Sequence, residues 1–474
     1  MIRPILLVML GLVVCLSLDA QSKDKPNIIL IVVDDLGWKD VGFMGSTYYE
    51  TPHLDALAAK SVVFQQAYAG AANCAPSRAC LMSGQNTPRH GIYTVSPSAR
   101  GNPKTRKIIP TPNTRDLAQS QLTLGEVLQQ NGYATATMGK WHLGADPTTQ
   151  GFDLNVAGTR RGHPKTYFSP YENPNLADGP DGEYLTDRIT DEAMSFIEAK
   201  KDEPFFLYLP YFTIHTPLQG KENLVDYYKN KPSKEGQGIN PNYGAMVSTM
   251  DANVGRILTQ LKRLNLDNTL LVFTSDNGGI VRLSSQRPLR AGKGSYYEGG
   301  IRVPLLFNWP AKNWKAGLRE TPVTNLDFFP TILQLLDIPL PEGKILDGHS
   351  ISEVITSNKK MKKRSLFWHF PIYLEAYSRG NDESRDPLFR TRPGSVIRSG
   401  RWKLHHYFED DGLELYDLKK DIGERSNLAI QKQGKAQKLL KKLDTWRSAT
   451  DAPVPRELNP AYVEGFVPPL RKKK

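Results

Sequence analysis

Cysteine is what this chain has least of: three among 474 residues, Cys15, Cys74 and Cys80. Neither an internal repeat nor a long low-complexity tract is present, which sets repeat architectures aside. Acidic residues are in deficit, 49 Asp and Glu against 61 Lys and Arg, for a net charge of +12. That balance favours anionic partners: nucleic acid, an acidic membrane or an acidic polysaccharide. A composition of 39% hydrophobic and 23% charged residues is that of an ordinary soluble globular protein. The length suffices for one large domain with a smaller annex.

Apolar runs are short. The first twenty residues, MIRPILLVMLGLVVCLSLDA, hold one early Arg, an apolar run too short for a membrane span, and Ala20 before QSKDKPN. Residues 1–20 read as a secretory signal peptide. The chain is expected to be exported, periplasmic or secreted, without stable membrane insertion, and export makes nucleic acid the weakest of the three partner classes. Cleavage near Ala20 removes Cys15. Cys74 and Cys80 on a continuing helix would then stand about 9 Å apart along its axis, too far to bridge. Cys74 is left without a disulfide role, and Cys80 reads as a small buried apolar residue.

Several β-rich apolar runs are each followed by a polar, glycine-containing turn and a helical pattern. PNIILIVVDDLG is a continuous apolar strand of the kind buried on both faces, and GYATATMGKWHLG, PFFLYLPYFTIHTP and NTLLVFTSDNGG repeat the plan. Between them TPHLDALAAKSVVF, LTLGEVLQQNG and YGAMVSTMDANVGRILTQLKRLNL read as helical. The expected fold class is α/β: a large mixed, mostly parallel central sheet flanked by helices over residues 25–363. From 364 to 474 the texture changes to a smaller subdomain. Short antiparallel strands (GSVIRSGRWKLHHYF, LELYDL), a Lys-rich helix from Gln431 to Trp446 and a Pro-rich strap make it up.

In open α/β sheets, ligands bind beyond the carboxyl ends of the strands. Here those ends carry Asp34 and Asp35, Asp276 and Asn277, Lys140 and His142, and His215. Singly each has a bland reading as a turn former or a packed histidine. Their recurrence at the same end of successive strands points to one site. Three carboxylates and an amide oxygen form a hard, all-oxygen donor set, suited to Ca²⁺ or Mg²⁺ and giving no reason for zinc. Adjacent strand residues point to opposite faces, so Asp34 and Asp35 can converge only if the chain turns out of the sheet, which Gly37 would permit.

In CAPSR, Cys74 to Arg78, Pro76 fits the first turn of a helix, which puts Cys74 near the N-terminal cap and Arg78 on the same face. A helix N-terminus, an Arg and a divalent cation make an anion pocket for a phosphate or sulfate ester. A low-pKa thiol nucleophile would call for a neighbouring base and a soft environment. Hard oxygen ligands suit an oxygen nucleophile better.

CAPSR resembles the C-x-P-x-R signature of the type I sulfatases. The resemblance runs through nearly the whole chain after residue 20, in VVDDLG, CAPSRACLMSG, GYATATMGKWHLG, IHTP, TSDNGG, LRAGKGSYYEGGIRVP and ELYDL. Departures at Asn73 and Met138 carry no chemistry. It implies an alkaline-phosphatase-like fold and a sulfatase in which a formylglycine-generating or equivalent maturation enzyme oxidises Cys74 to formylglycine, whose hydrated aldehyde supplies the attacking oxygen. Asp34, Asp35, Asp276, Asn277 and the modified Cys74 would hold one Ca²⁺. Arg78 would support the nucleophile, and Lys140 and Lys293 would neutralise sulfate oxygens. His215, assisted by Lys293, would protonate the leaving alkoxide, and His142 would take the proton that restores the aldehyde.

Arg160, Arg161 and His163, with Trp368 and His369, are candidates for reading the sugar; Arg302 and Asp327 read as structural. The expected substrate is a sulfated oligosaccharide or polysaccharide, algal (ulvan or carrageenan) or glycosaminoglycan. Two alternatives stand beside it: a phosphonate monoester or phosphodiester hydrolase of the same superfamily, and a non-catalytic binder of acidic polysaccharide. Members of the first that share C-x-P-x-R put a His where this chain has Asn277 and favour a transition metal, so by that resemblance Asn277 tips the balance towards sulfate and Ca²⁺.

Overall fold

The computed structural model describes residues 25–233 and 239–469; the expected signal peptide, Cys15 included, and the basic terminus at 471–474 lie outside the described residues. Strand β1 (Asn27–Val33) is buried along its whole length. Because successive residues face opposite ways, Ile29, Ile31 and Val33 enter one core while Ile28, Leu30 and Val32 enter another. Each such side chain contributes roughly 1.5–3 kcal/mol by leaving water. A strand apolar on both faces therefore has to lie in the middle of a covered sheet.

Val62–Phe64 (β2), Ala134–Met138 (β3), Leu154–Val156 (β4), Phe205–Pro210 (β5), Thr269–Ser275 (β6), Leu305–Asn308 (β7) and Gly317–Arg319 (β8) complete that sheet. Among the described residues its order is β8-β2-β7-β6-β1-β5-β3-β4. The run from β6 to β4 is parallel, as is β8 with β2, while β7 lies antiparallel to β2 and β6. Helices α1 (Pro52–Ala58), α2 (Cys74–Ser83), α3 (Leu124–Gln130), α4 (Leu185–Ala199), α5 (Pro241–Arg263) and α6 (Phe328–Leu335) cover it. α1, α4 and α5 pack on one face; α2, α3 and α6 pack on the other. α3 starts at a capping box in which Thr123 and Glu126 satisfy each other's backbone N–H groups.

TPHLDALAAKSVVF is not one helix. α1 ends at Ala58, and the branched pair Val62–Val63 belongs to β2. β7, four residues held between Pro304 and Pro310, is a strand the sequence reading did not anticipate.

Ser365–Phe370 (β9), Gly394–Ser399 (β10), Trp402–Tyr407 (β11) and Leu413–Asp417 (β12) form an antiparallel sheet. One face packs Ile397, Leu404 and Leu415 against Ala436, Leu439 and Leu443 of α7 (Gln433–Ala449). The other packs Leu366, Trp368, Phe370 and Val396 against Tyr68, Ala72, Tyr296 and Ile301. Between the two sheets, Lys403 Nζ of β11 lies 3.0 Å from Glu298 and 3.0 Å from Glu424, all fully buried. The Pro-rich end straps the surface, Ile109 N–H donating to Glu457 O at 2.8 Å and Asn459 N–H to Lys107 O at 3.0 Å.

Candidate active site

β1 and β6 run in register, Val33 beside Ser275, so their next residues emerge together at the carboxyl edge. Asp35 makes the turn itself, in a left-handed conformation with φ of 62° that costs a non-glycine residue roughly 1–2 kcal/mol. This, rather than freedom at Gly37, turns both carboxylates to one place. Asp35 N–H donates to Asp276 Oδ1 at 3.3 Å. One strand over, Gly139 (φ 124°) lets β3 close on β5: a Cβ there would stand 2.1 Å from Pro210 O. Lys140 N–H donates to that same oxygen at 2.7 Å, which fixes where the lysine enters the site.

Asn73 caps α2 in extended conformation and Cys74 is the first helical residue. Cys74 Sγ lies 3.4 Å from Asp34 Oδ1 and 4.0 Å from Asp35 Oδ1. The donor atoms of Asp34, Asp35, Cys74 and Asp276 all lie within 4.8 Å of one another, and all four residues are buried. Lys140 Nζ is 2.6 Å from Asp34 Oδ2, and Lys293 Nζ is 2.7 Å from Asp35. Arg78, fully buried, donates through Nε to Asp276 at 2.9 Å and through Nη1 to Lys140 O at 2.7 Å. It braces two other site residues rather than opening onto the cavity. Cys80 is buried with its Sγ 3.5 Å from His90 Nε2, and both described cysteines are free thiols.

The titrations follow from this crowding. Burial pushes Asp34 up to about 7 against the pull of Lys140, with Asp276 and Asp35 repelling it. Burial would raise Asp35 as well, but Lys293 and His215 hold it far below the usual carboxylate range. Burial and Asp34 push the Cys74 thiol up to about 12, although Lys140 and Lys293 pull the other way. A thiolate nucleophile is disfavoured here. Burial works against the charges of Arg78 and Lys293, and Asp276 and Asp35 respectively more than offset it.

Both histidines are held neutral, His142 by burial, Lys140 and Arg78, His215 by burial and Lys293. His215 Nδ1 is 2.8 Å from Thr216 O, which aims Nε2 at the site, 3.8 Å from Asp35. The His142 ring fits beneath Gly162, where a Cβ would stand 2.4 Å from it.

A hard divalent cation fits these residues. The three carboxylates converge, Asp34 is destabilised as an anion, and the buried Asn277 Oδ1 accepts no hydrogen bond while its Nδ2 donates to Asp35 at 2.9 Å. An amide oxygen buried without a donor is costly in isolation and is a natural Ca²⁺ ligand.

The cluster opens into a cavity of about 620 Å³ lined by Cys74, His142, His215 and Lys293. A larger one of about 830 Å³, near Thr269 at the opposite end of β6, holds none of these groups. Of the sugar-reading candidates, Arg160, Arg161 and His163 line the site cavity. Arg160 is engaged by Asp116 at 2.6 Å, and the His163 ring stacks on His215 at 5.9 Å between centroids. Trp368 and His369 do not reach it. Trp368 is buried with its indole N–H on Ala69 O at 2.8 Å, and His369 lies between Ser395 and Pro453 O. Trp368 fills the inter-sheet core, and His369, the next residue of β9, faces the other side of the small sheet against Phe408 and Trp446.

Arg302 pairs with Glu298 at 3.4 Å, and Asp327 joins the Thr324 capping box and pairs with Arg364. Sequence reasoning missed Arg100, Arg115, Arg282, Tyr377 and Arg390, which also line the cavity. They come from separate loops and, for Arg390, the short strand Phe389–Thr391, and share no local motif, so only the fold brings them together.

The sulfatase family model matches residues 26–338, and a model of the N-sulphoglucosamine sulphohydrolase C-terminal region matches residues 292–449. A sulfatase of Formosa agariphila is 32% identical, over 91% of this chain and 90% of that protein. Human N-acetylgalactosamine-6-sulfatase is 32% identical over 73% of this chain and 69% of its own. The crystal structure of Ps i-CgsB in complex with k-i-k-neocarrahexaose superposes with a TM-score of 0.74 at 30% identity, covering 92% of this chain and 95% of that one.

Proposed function

The chain belongs to the sulfatase family and is a sulfuric ester hydrolase, and from that premise we propose that it removes sulfate from sulfated carbohydrates of polysaccharide origin. In this reading it uses residue 74 after oxidation to formylglycine, and one Ca²⁺ held by Asp34, Asp35, Asp276, Asn277 and the modified residue. The carrying observation is the meeting of residue 74, three carboxylates and two lysines at one sheet edge. The carbohydrate assignment draws support from Ps i-CgsB, solved with an oligosaccharide, and from the human relative, an N-acetylgalactosamine-6-sulfatase. The apolar leader supports export to the periplasm or beyond, with maturation by a formylglycine-generating or equivalent enzyme.

When bound, the cation would neutralise the carboxylates and draw charge from sulfate oxygens, and the oxidised residue 74 would supply the attacking oxygen. The other steps belong to the side chains. Lys140 and Lys293 bring two ammonium groups to the sulfate. A charge pair at about 4 Å is worth roughly 4 kcal/mol at an effective dielectric of 20, so two of them weigh heavily in binding and in the transition state.

Thr216 holds Nδ1 of His215, leaving Nε2 to carry a proton to the leaving alkoxide. Burial and, after it, the Lys293 charge lower the proton affinity of this imidazole, and an anionic sulfate counters the second, so that affinity rises as substrate binds. His142, neutral and beside Lys140, takes up the proton released when sulfate departs. Arg78 positions Asp276 and Lys140 for all of this.

Matched aryl sulfate and aryl phosphonate, with the metal content of the purified protein, test the reading. Faster sulfate hydrolysis by calcium-bearing protein is expected. Preference for the phosphonate with a transition metal would overturn it in favour of the phosphonate hydrolases, and hydrolysis of neither would favour a non-catalytic binder.

A further inference from the structure

The wall of the site cavity carries one sign of charge: six arginines line it, and among the described residues no acidic residue does. A single sulfate ester carries one negative charge, and in the proposed reading, with the cation on Asp34 and Asp35, Lys140 and Lys293 answer it. Arg160 is neutralised by Asp116. Arg115, Arg282 and Arg390, which also line the wall, form no ion pair among the described residues.

Two of them are gathered on one ring. The guanidinium of Arg390 lies 3.4 Å from the centre of Tyr377, and that of Arg282 lies 5.4 Å from it. Cation–π attraction offsets part of the repulsion of holding like charges together. Arg390 is anchored, donating to Glu375 O at 2.9 Å and to Lys293 O at 3.0 Å, so the same residue ties this group to a site lysine. Arg100 donates to Ser96 O at 2.9 Å and feels Arg390 as a repelling charge and Glu375 as an attracting one. Asp382 is the other acidic group in the field of Arg282 and Arg390; its carboxylate is committed to Tyr377 N–H at 2.6 Å. A neutral sugar would leave this surplus uncompensated in a partly desolvated cleft. An oxyanion would meet planar forks suited to bidentate contact.

We propose that Arg282, Arg390 and Arg100, organised around Tyr377, form a subsite for a second anionic substituent of the substrate, a sulfate ester or a uronate carboxylate, beside the sulfate that is cleaved. This rests on the sulfatase reading and narrows the substrate to saccharides carrying at least two negative groups within the cavity.

The test measures inhibition of 4-nitrophenyl sulfate hydrolysis by three disaccharides of one sugar series. One carries a single sulfate, the second two sulfates, and the third one sulfate and one uronate carboxylate. At least one dianionic competitor should bind about tenfold or more tighter than the monosulfated one, and the arm that does so identifies the second group. Arg282 is exposed, so Arg282→Ala should fold, bring that ratio close to one, and regain part of it as Arg282→Lys. Arg282→Glu should reverse the preference. Equal inhibition by all three, or a ratio unchanged in Arg282→Ala, overturns the subsite and leaves the sulfatase reading standing. Failure to hydrolyse 4-nitrophenyl sulfate at all would overturn the reading beneath it.

Discussion

At residue 74 a thiol sits 2% exposed among carboxylates, with its pKa pushed up to about 12 by burial and Asp34. Such a thiol is a poor nucleophile, whereas an oxygen in its place has a cation site beside it and two lysines facing it. Cys74→Ser tests this distinction. A serine can accept a sulfo group but lacks the second hydroxyl through which sulfate would leave, so the variant should accumulate a sulfated serine at position 74, read by peptide mass, instead of turning over. Gly162→Ala is expected to displace the His142 ring, because the added Cβ would lie 2.4 Å from it. A shift of that size costs on the order of 10²-fold in turnover. The loss should fall on kcat more than on KM in steady-state assays, since Lys140 and Lys293 are untouched. Of the proposed site residues, Asp34, Asp35, Lys140, His142, His215, Asp276 and Asn277 were legible because they follow strand ends, a pattern that chain order preserves, whereas Cys74, Arg78 and Lys293 were legible only through the motifs that resemble the sulfatases. The arginines around Tyr377 were not, because Arg100 and Arg282 on separate loops and Arg390 on the short strand Phe389–Thr391 meet only in the folded chain. Trp368 and His369 misled because an aromatic pair reads alike in a sugar cleft and in a core strand.

Among the elements, β11 and the short helix Glu298–Ile301 are joined by a buried ionic group that the sequence did not announce. Burial pushes Glu424 up to about 7, with Lys403 opposing and Glu298 reinforcing, while Lys403 and Arg302 hold Glu298 down to about 2 against burial. Lys403→Met leaves two carboxylates buried without their cation and should destabilise the fold by about 3–5 kcal/mol, measured by urea unfolding. The pH dependence follows from Glu424. Between its ordinary value of 4.5 and about 7 the folded protein keeps a proton that the unfolded chain has lost. Stability from this group therefore falls as pH rises through that window, by at most about 1.4 kcal/mol per pH unit, and levels off above it. Glu424→Gln should remove that slope, seen as the pH-dependent difference between its unfolding curves and those of the unsubstituted protein. β1 and β6 were legible as apolar runs, whereas β7 was not, since four residues between prolines have too short a pattern to separate strand from loop.

For the whole molecule, a mostly parallel sheet gathers residues from positions 34 to 293 at one edge, where Lys140, Lys293 and Arg78 offset part of the cost of holding three carboxylates together and a bound cation would relieve more of it. Removing calcium with a chelator should lower the melting temperature, and calcium at about 100 times its dissociation constant should return about 2.7 kcal/mol. Calorimetry with and without calcium checks this, and an unchanged melting temperature would count against the cation site. The fold class was readable because strand and helix patterns alternate along the chain; the packing of the small sheet against Tyr68 and Tyr296 was not, because long-range contacts leave no period. The most direct measurement prepares the protein with graded extents of modification and plots sulfate release against the fraction of residue 74 present as aldehyde, determined by peptide mass. A line through the origin is the expected result. Sulfate release from protein whose residue 74 is wholly thiol would contradict the account.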